Sequence, residues 1–161
     1  MLEIGSRAPE FTLPLHTGGE ISLTTMLNHG PLLLYFYAAD FAPTCGRQAT
    51  AIAAIHEQLR ADGINVVGLS PQSPTSHQRF RRRLNLPQAL LSDRRKAVIR
   101  MYDVLGPLGV VRRATYLIDQ GRVICNAVLA EFRSSVHTDC MLDARPLLDA
   151  FARYAWRPAA A

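Results

Sequence analysis

The chain has 161 residues, 48% of them hydrophobic, three cysteines and a formal net charge of +5. That length suits one domain, 1–161, around a single buried core, and no apolar run is long enough to cross a bilayer as a helix. The start, MLEIGSRAPEF, lacks the basic and apolar regions of a secretory leader, and an odd cysteine count does not make a disulfide framework, so a cytoplasmic protein with free or redox-active thiols is expected.

In chain order, Phe11 and Leu13 alternate with Thr12 as in a short edge strand. His16 to Gly19 reads as a turn, Glu20 to Leu23 as a second short strand, and Thr24 to Asn28 as one helical turn. Pro31 to Tyr37 is a continuous apolar run, as expected of a strand buried on both faces. A loop, Ala38 to Thr44, leads to a helical pattern from Cys45 to about Ala61, with Ile52, Ile55 and Leu59 on one stripe. Gly63 ends it, and Ile64 to Leu69 is a second buried strand, followed by a loop, Ser70 to Pro74.

Ser76 to Leu84 reads as a helix, Ala89 to Leu91 as a short strand, and Arg95 to Leu105 as another helix, closed by Gly106-Pro107. Arg113 to Ile118 and Arg122 to Ala130 read as paired strands around a turn at Asp119 to Gly121. Glu131 to Leu142 reads as a loop, and a last helix starts near Asp143, with Pro146 in its first turn. Helix and strand alternate, so the class is α/β. Arg79, Arg81, Arg82, Arg83, Arg94, Arg95 and Lys96 hold much of the positive charge. Without interleaved aromatics they read as a solvated basic face rather than a nucleic-acid surface, and Phe80 among them is expected in the core.

Cys45 falls where a buried strand has turned into the first turn of a helix. The unpaired N–H groups and the dipole there favour negative charge. Cysteines so placed have pKa values of roughly 3.5–7.5, and the thiolate is the nucleophile. The alternative is an inert small hydrophobe. Cys125 lies inside a strand and reads as a buried structural residue, whereas Cys140 lies in the loop before Asp143. His16, His29, His56, His77 and His137 show no metal-ligand spacing and each reads as a surface residue; no metal or cofactor is expected.

The run Phe36-Tyr37-Ala38-Ala39-Asp40-Phe41-Ala42-Pro43-Thr44-Cys45 resembles the active-site loop of peroxiredoxins, usually Phe-Tyr-Pro-x-Asp-x-Thr-x-x-Cys. GSRAPEFTL and Arg113-Ala114-Thr115-Tyr116-Leu117-Ile118-Asp119-Gln120-Gly121 are similar to the family's entry and arginine segments. The resemblance, closest to the bacterioferritin-comigratory Q-type, implies a thioredoxin-like fold with a mixed β-sheet flanked by helices. It implies a thiol peroxidase in which Cys45 attacks the peroxide and Arg113 stabilises the thiolate. It also implies an external thiol reductant such as thioredoxin or glutathione, and a monomer or homodimer without nucleic-acid or membrane partners.

Two positions depart from the pattern. The family's loop proline is Ala38 here, and its peroxide-binding threonine is Ala42, leaving Thr44 as another source of a hydroxyl. Thr50 stands where Q-type members often carry a local resolving cysteine, which leaves Cys140 as the candidate resolving thiol or none at all. These departures keep a second reading open, a catalytically impaired redox sensor or binding protein. A thioredoxin-type oxidoreductase is disfavoured, because Cys45-Gly46-Arg47-Gln48 lacks a second cysteine.

Overall fold

Apolar runs that no solvent-facing strand could carry become the centre of the sheet. In the computed structural model, which describes residues 1–129, β3 (Leu32–Phe36) and β6 (Ala114–Ile118) are buried along their whole length. β1 (Thr12–Pro14) and β2 (Glu20–Ser22) form a separate antiparallel hairpin. The five-stranded sheet has the order β5-β4-β3-β6-β7, with β4 Asn65–Ser70, β5 Ala89–Ser92 and β7 Ile124–Leu129. β3, β4 and β5 run parallel, while β6 is antiparallel to both β3 and β7, so the sheet is mixed.

Because side chains alternate across a strand, β3 feeds two cores. Leu32, Leu34 and Phe36 join Val67, Leu69, Leu91, Val98, Ile99, Tyr102 and Tyr116 on one face. Leu33, Tyr35 and the following Tyr37 join Cys45, Ala49, Ile52, Leu59, Phe80 and Leu90 on the other. Gly68 makes room for this second core: a Cβ there would lie 2.5 Å from Tyr35 Cζ.

The helices differ from the patterns in their ends and in one break. α1 (Leu23–Leu27) is capped by Ser22, whose Oγ accepts from Thr25 N–H. The helix expected from Cys45 to Ala61 is two pieces, α2 (Pro43–Ala54) and α3 (His56–Ala61). Pro43 takes the first helical position, which needs no N–H donor. The break falls at Ile55, where φ is −105° and its N–H turns back to Ile52 O. α4 (Pro74–Leu84) starts two residues earlier than expected, with Pro74 in its first turn and Ser73 Oγ accepting from Ser76 N–H.

The helix expected over Arg95 to Leu105 is confined to α5, Ala97–Met101. The Asp93 carboxylate sets its start by accepting from the N–H groups of Ala97 and Ile99. It ends where Asp103 takes a positive φ of 52°, and Leu105 then bridges to Val111. No helix among the described residues is long and apolar enough to cross a membrane. The expected loop over 131–142 and the helix from Asp143 lie outside the described residues.

Candidate active site

The register of the sheet joins the two ends of the site. Ala114 of β6 pairs with Phe36 of β3, so Arg113 stands where β3 gives way to the loop that leads to Cys45. Cys45 lies in the third position of α2, after Pro43 and Thr44, and is 2% exposed; Arg113 is 9% exposed. Both line a cavity of about 470 Å³ with Ala38, Thr44, Val111 and Leu129. One rim of the cavity is the Gly106–Val110 stretch, which carries a fully exposed Leu108. The chain thus brings together a thiol and a guanidinium 68 positions apart in sequence (113 − 45).

Ala42 and Thr44 part company here. Thr44 lines the cavity with Cys45, whereas Ala42 lines a separate groove of about 620 Å³ between α2 and α4. Ala42 is also the N-cap of α2, in extended conformation, and makes no side-chain hydrogen bond to the first turn. A hydroxyl at an N-cap accepts from the second or third helical N–H, the third being that of Cys45. So the threonine absent at this position is also an absent helix cap. Thr50 is exposed in the same groove as Ala42.

The loop is held instead by a buried polar cluster. Asp40 Oδ1 accepts from Tyr37 OH at 2.8 Å, and Oδ2 accepts from Ser76 Oγ at 2.6 Å. His77 Nδ1 lies 3.0 Å from the same carboxylate, and His77 Nε2 lies 3.1 Å from Leu91 O. Between Asp40 and the Ala42 cap sits Phe41 at φ 63°, a left-handed conformation that costs a non-glycine residue about 1–3 kcal/mol. The Tyr37 ring stacks on Phe80, 5.9 Å away, and burial pushes its hydroxyl pKa well above the usual range, so it stays a donor.

His77 and His16 correct the expectation of surface histidines. His77 is fully buried. His16 is buried where Arg81 Nη1 reaches its Nε2 at 2.7 Å and Leu90 N–H meets its Nδ1 at 3.3 Å. Burial first, and then the Arg81 charge, lower the His16 pKa. Arg81 is therefore not part of a purely solvated basic face: it also donates to Gln88 O and Pro87 O, while Arg82 and Arg83 are exposed. Phe80 is buried as expected. The spacing of His77, Phe80 and Leu84 on one helical face is the signal that marks His77 as inward.

Cys125 is buried in β7, with its Sγ 3.5 Å from Val123 O. Cys140 lies outside the described residues. Among the described residues no cluster of three or more His, Cys, Asp or Glu is placed to hold a metal.

Residues 4–127 match the model of the AhpC/TSA family. A Coxiella burnetii relative that carries the name peroxiredoxin bcp is 37% identical over 130 residues, 76% of this chain and 85% of that one. The chloroplastic peroxiredoxin Q of Gentiana triflora is 34% identical over 137 residues, 84% of this chain; the chain spans 63% of that relative's length. Peroxidoxin BcpB from Mycobacterium tuberculosis superposes with a TM-score of 0.84 at 26% identity, covering 98% of this chain and 100% of that one. The fold is thioredoxin-like α/β, as the resemblance implied.

Proposed function

The chain belongs to the AhpC/TSA family of thiol peroxidases, and from that premise we propose that it reduces hydrogen peroxide or organic hydroperoxides through Cys45. The observation that carries this is the shared cavity of Cys45, Arg113 and Thr44 at the start of α2. The Cys45 thiolate gives an electron pair to one peroxide oxygen. The S–O bond forms as the O–O bond breaks, and the leaving oxygen takes a proton to become water or an alcohol. Cys45 is oxidised to sulfenic acid and the peroxide is reduced.

Arg113 supplies a planar, permanently charged donor fork to the thiolate and to the departing oxygen. Thr44 is the hydroxyl positioned to share that task, since Ala42 has none and lines the other groove. An external thiol, such as thioredoxin or glutathione, then condenses with the sulfenic acid, releasing water and forming a mixed disulfide. A second thiol releases Cys45. If an internal thiol takes part, it is Cys140, because Cys125 could reach a partner only by opening the β6–β7 pairing that buries it.

The test is stopped-flow oxidation of the reduced protein with hydrogen peroxide, with thiols counted before and after. One equivalent should consume Cys45 alone, or Cys45 and Cys140 together where an internal disulfide forms. Cys45→Ser should abolish the reaction, and Arg113→Ala should slow it about a hundred-fold or more, the cost of losing a charged donor at a developing anion. Unchanged kinetics in Cys45→Ser would overturn the proposal.

A further inference from the structure

The turn from which the Cys45 helix starts has few bonds of its own: Ala42 O accepts from Gly46 N–H, and the Phe41 ring meets Phe80 of α4 edge-on at 5.5 Å. Phe41 takes a left-handed backbone that disfavours any side chain, the Ala42 side chain caps nothing, and Pro43 has no N–H to give. What else restrains it comes from α4 and from the end of β3. The Asp40 carboxylate, one residue before Phe41, is 8% exposed and gathers Tyr37 OH, Ser76 Oγ and His77 Nδ1. His77 Nε2 faces the Leu91 carbonyl of β5, and Nδ1 faces the Asp40 carboxylate and, at 3.2 Å, the Tyr37 hydroxyl. A ring wedged between a strand carbonyl and a loop carboxylate sets the distance between them.

We propose that His77 is a positioning residue for the reactive thiol: it ties Asp40 to β5, and through Asp40 it holds the Phe41–Ala42 turn that aims Cys45 at its cavity. This rests on the reading of Cys45 as the reacting group, and His77 itself touches no reacting atom. Its Nδ1 contact, not its bulk, carries the role, and the two can be separated by side chains that mimic one nitrogen each. Asparagine places an amide near Nδ1, within reach of Asp40. Glutamine places its amide near Nε2, keeping the Leu91 bond and losing Asp40.

The experiment compares His77→Asn and His77→Gln for two rates at Cys45, oxidation by hydrogen peroxide and alkylation by iodoacetamide, with Cys125 in the same digest as the internal control and thermal melting as the check on folding. His77→Asn should stay within about three-fold of the parent, and His77→Gln should lose about ten-fold or more in both rates. Equal losses in the two variants, or a larger loss in His77→Asn, would overturn the proposal. If His77→Gln fails to fold, Asp40→Asn takes its place: the same ten-fold loss supports the clamp, and a retained rate refutes it. Should the parent alkylate at Cys45 yet ignore peroxide, the proposed peroxidase activity fails while the alkylation contrast still decides the clamp.

Discussion

On one face of the sheet, Leu32, Leu34 and Phe36 meet Val98, Ile99, Tyr102 and Tyr116. Phe36 packs against both tyrosine rings at 5.3 and 5.9 Å. The hydroxyls there end on main-chain carbonyls: Tyr102 OH donates to Pro9 O and Tyr116 OH to Tyr102 O. On the other face, Leu33, Tyr35 and Tyr37 share their core with Cys45 and sit among Gln88, His77 and Asp40. Here polar side chains bond to each other and to distant segments. The first face needs only burial and shape. The second also needs partners placed to a few tenths of an ångström, because a buried polar group without its partner costs about 1–3 kcal/mol. The same strand thus supports a face that stabilises and a face that positions the thiol.

Leu34→Ala tests the division where the effect is largest. Leu34 is fully buried among the first set of side chains, and removing it should cost about 2–5 kcal/mol, read as a lower denaturation midpoint. In the fraction that remains folded, the alkylation rate of Cys45 should be unchanged. A matching loss of rate would mean that the two faces do not act separately.

The two faces also differed in how openly the sequence announced them. The apolar runs at Pro31–Tyr37 and Ile64–Leu69 expose β3 and β4 directly, and their length rules out a solvent-facing strand. Cys45 and Arg113 were legible through motif spacing. The polar face was not, because its bonds join residues far apart: 37 positions from Asp40 to His77 and 65 from His16 to Arg81. Local pattern carries no trace of such pairs beyond the helical spacing of His77 with Phe80. The break at Ile55 was hidden by an apolar stripe that runs through it from Ile52 to Leu59. The late start of α5 was hidden because Asp93, outside the helix, sets where it begins.

Ala42→Thr probes the reactive face with a smaller change. A threonine N-cap can accept from the N–H groups of the first turn and should raise stability by about 1 kcal/mol, seen as a higher melting temperature. If its hydroxyl also reaches the peroxide, the oxidation rate should rise about ten-fold, the kinetic worth of one hydrogen bond to a charged group. A stability gain without a rate gain would assign the donor role to Thr44 alone, and Thr44→Val should then slow the parent.

The smallest effect concerns pH. His16, just after β1, ties the β1–β2 hairpin to α4 and β5: its carbonyl accepts from Gln78 Nε2, and its ring meets Arg81 and Leu90 N–H. Burial and then the Arg81 charge lower its pKa in the folded state. The unfolded chain therefore takes up this proton at a higher pH than the folded one does. Above about pH 6.5 the ring is neutral in both states, and its contribution to stability is fully present. As pH falls below that, the unfolded state binds the proton first, and stability drops until the folded pKa is passed. The slope from one group cannot exceed about 1.4 kcal/mol per pH unit, and a partly solvated ring gives less. His16→Gln keeps a polar side chain that does not titrate. Denaturant midpoints between about pH 5 and pH 7.5 should accordingly fall less steeply with acid in the variant than in the parent. Parallel curves would show that the proton on His16 is bound equally well in both states, and that Arg81 and burial do not set its charge.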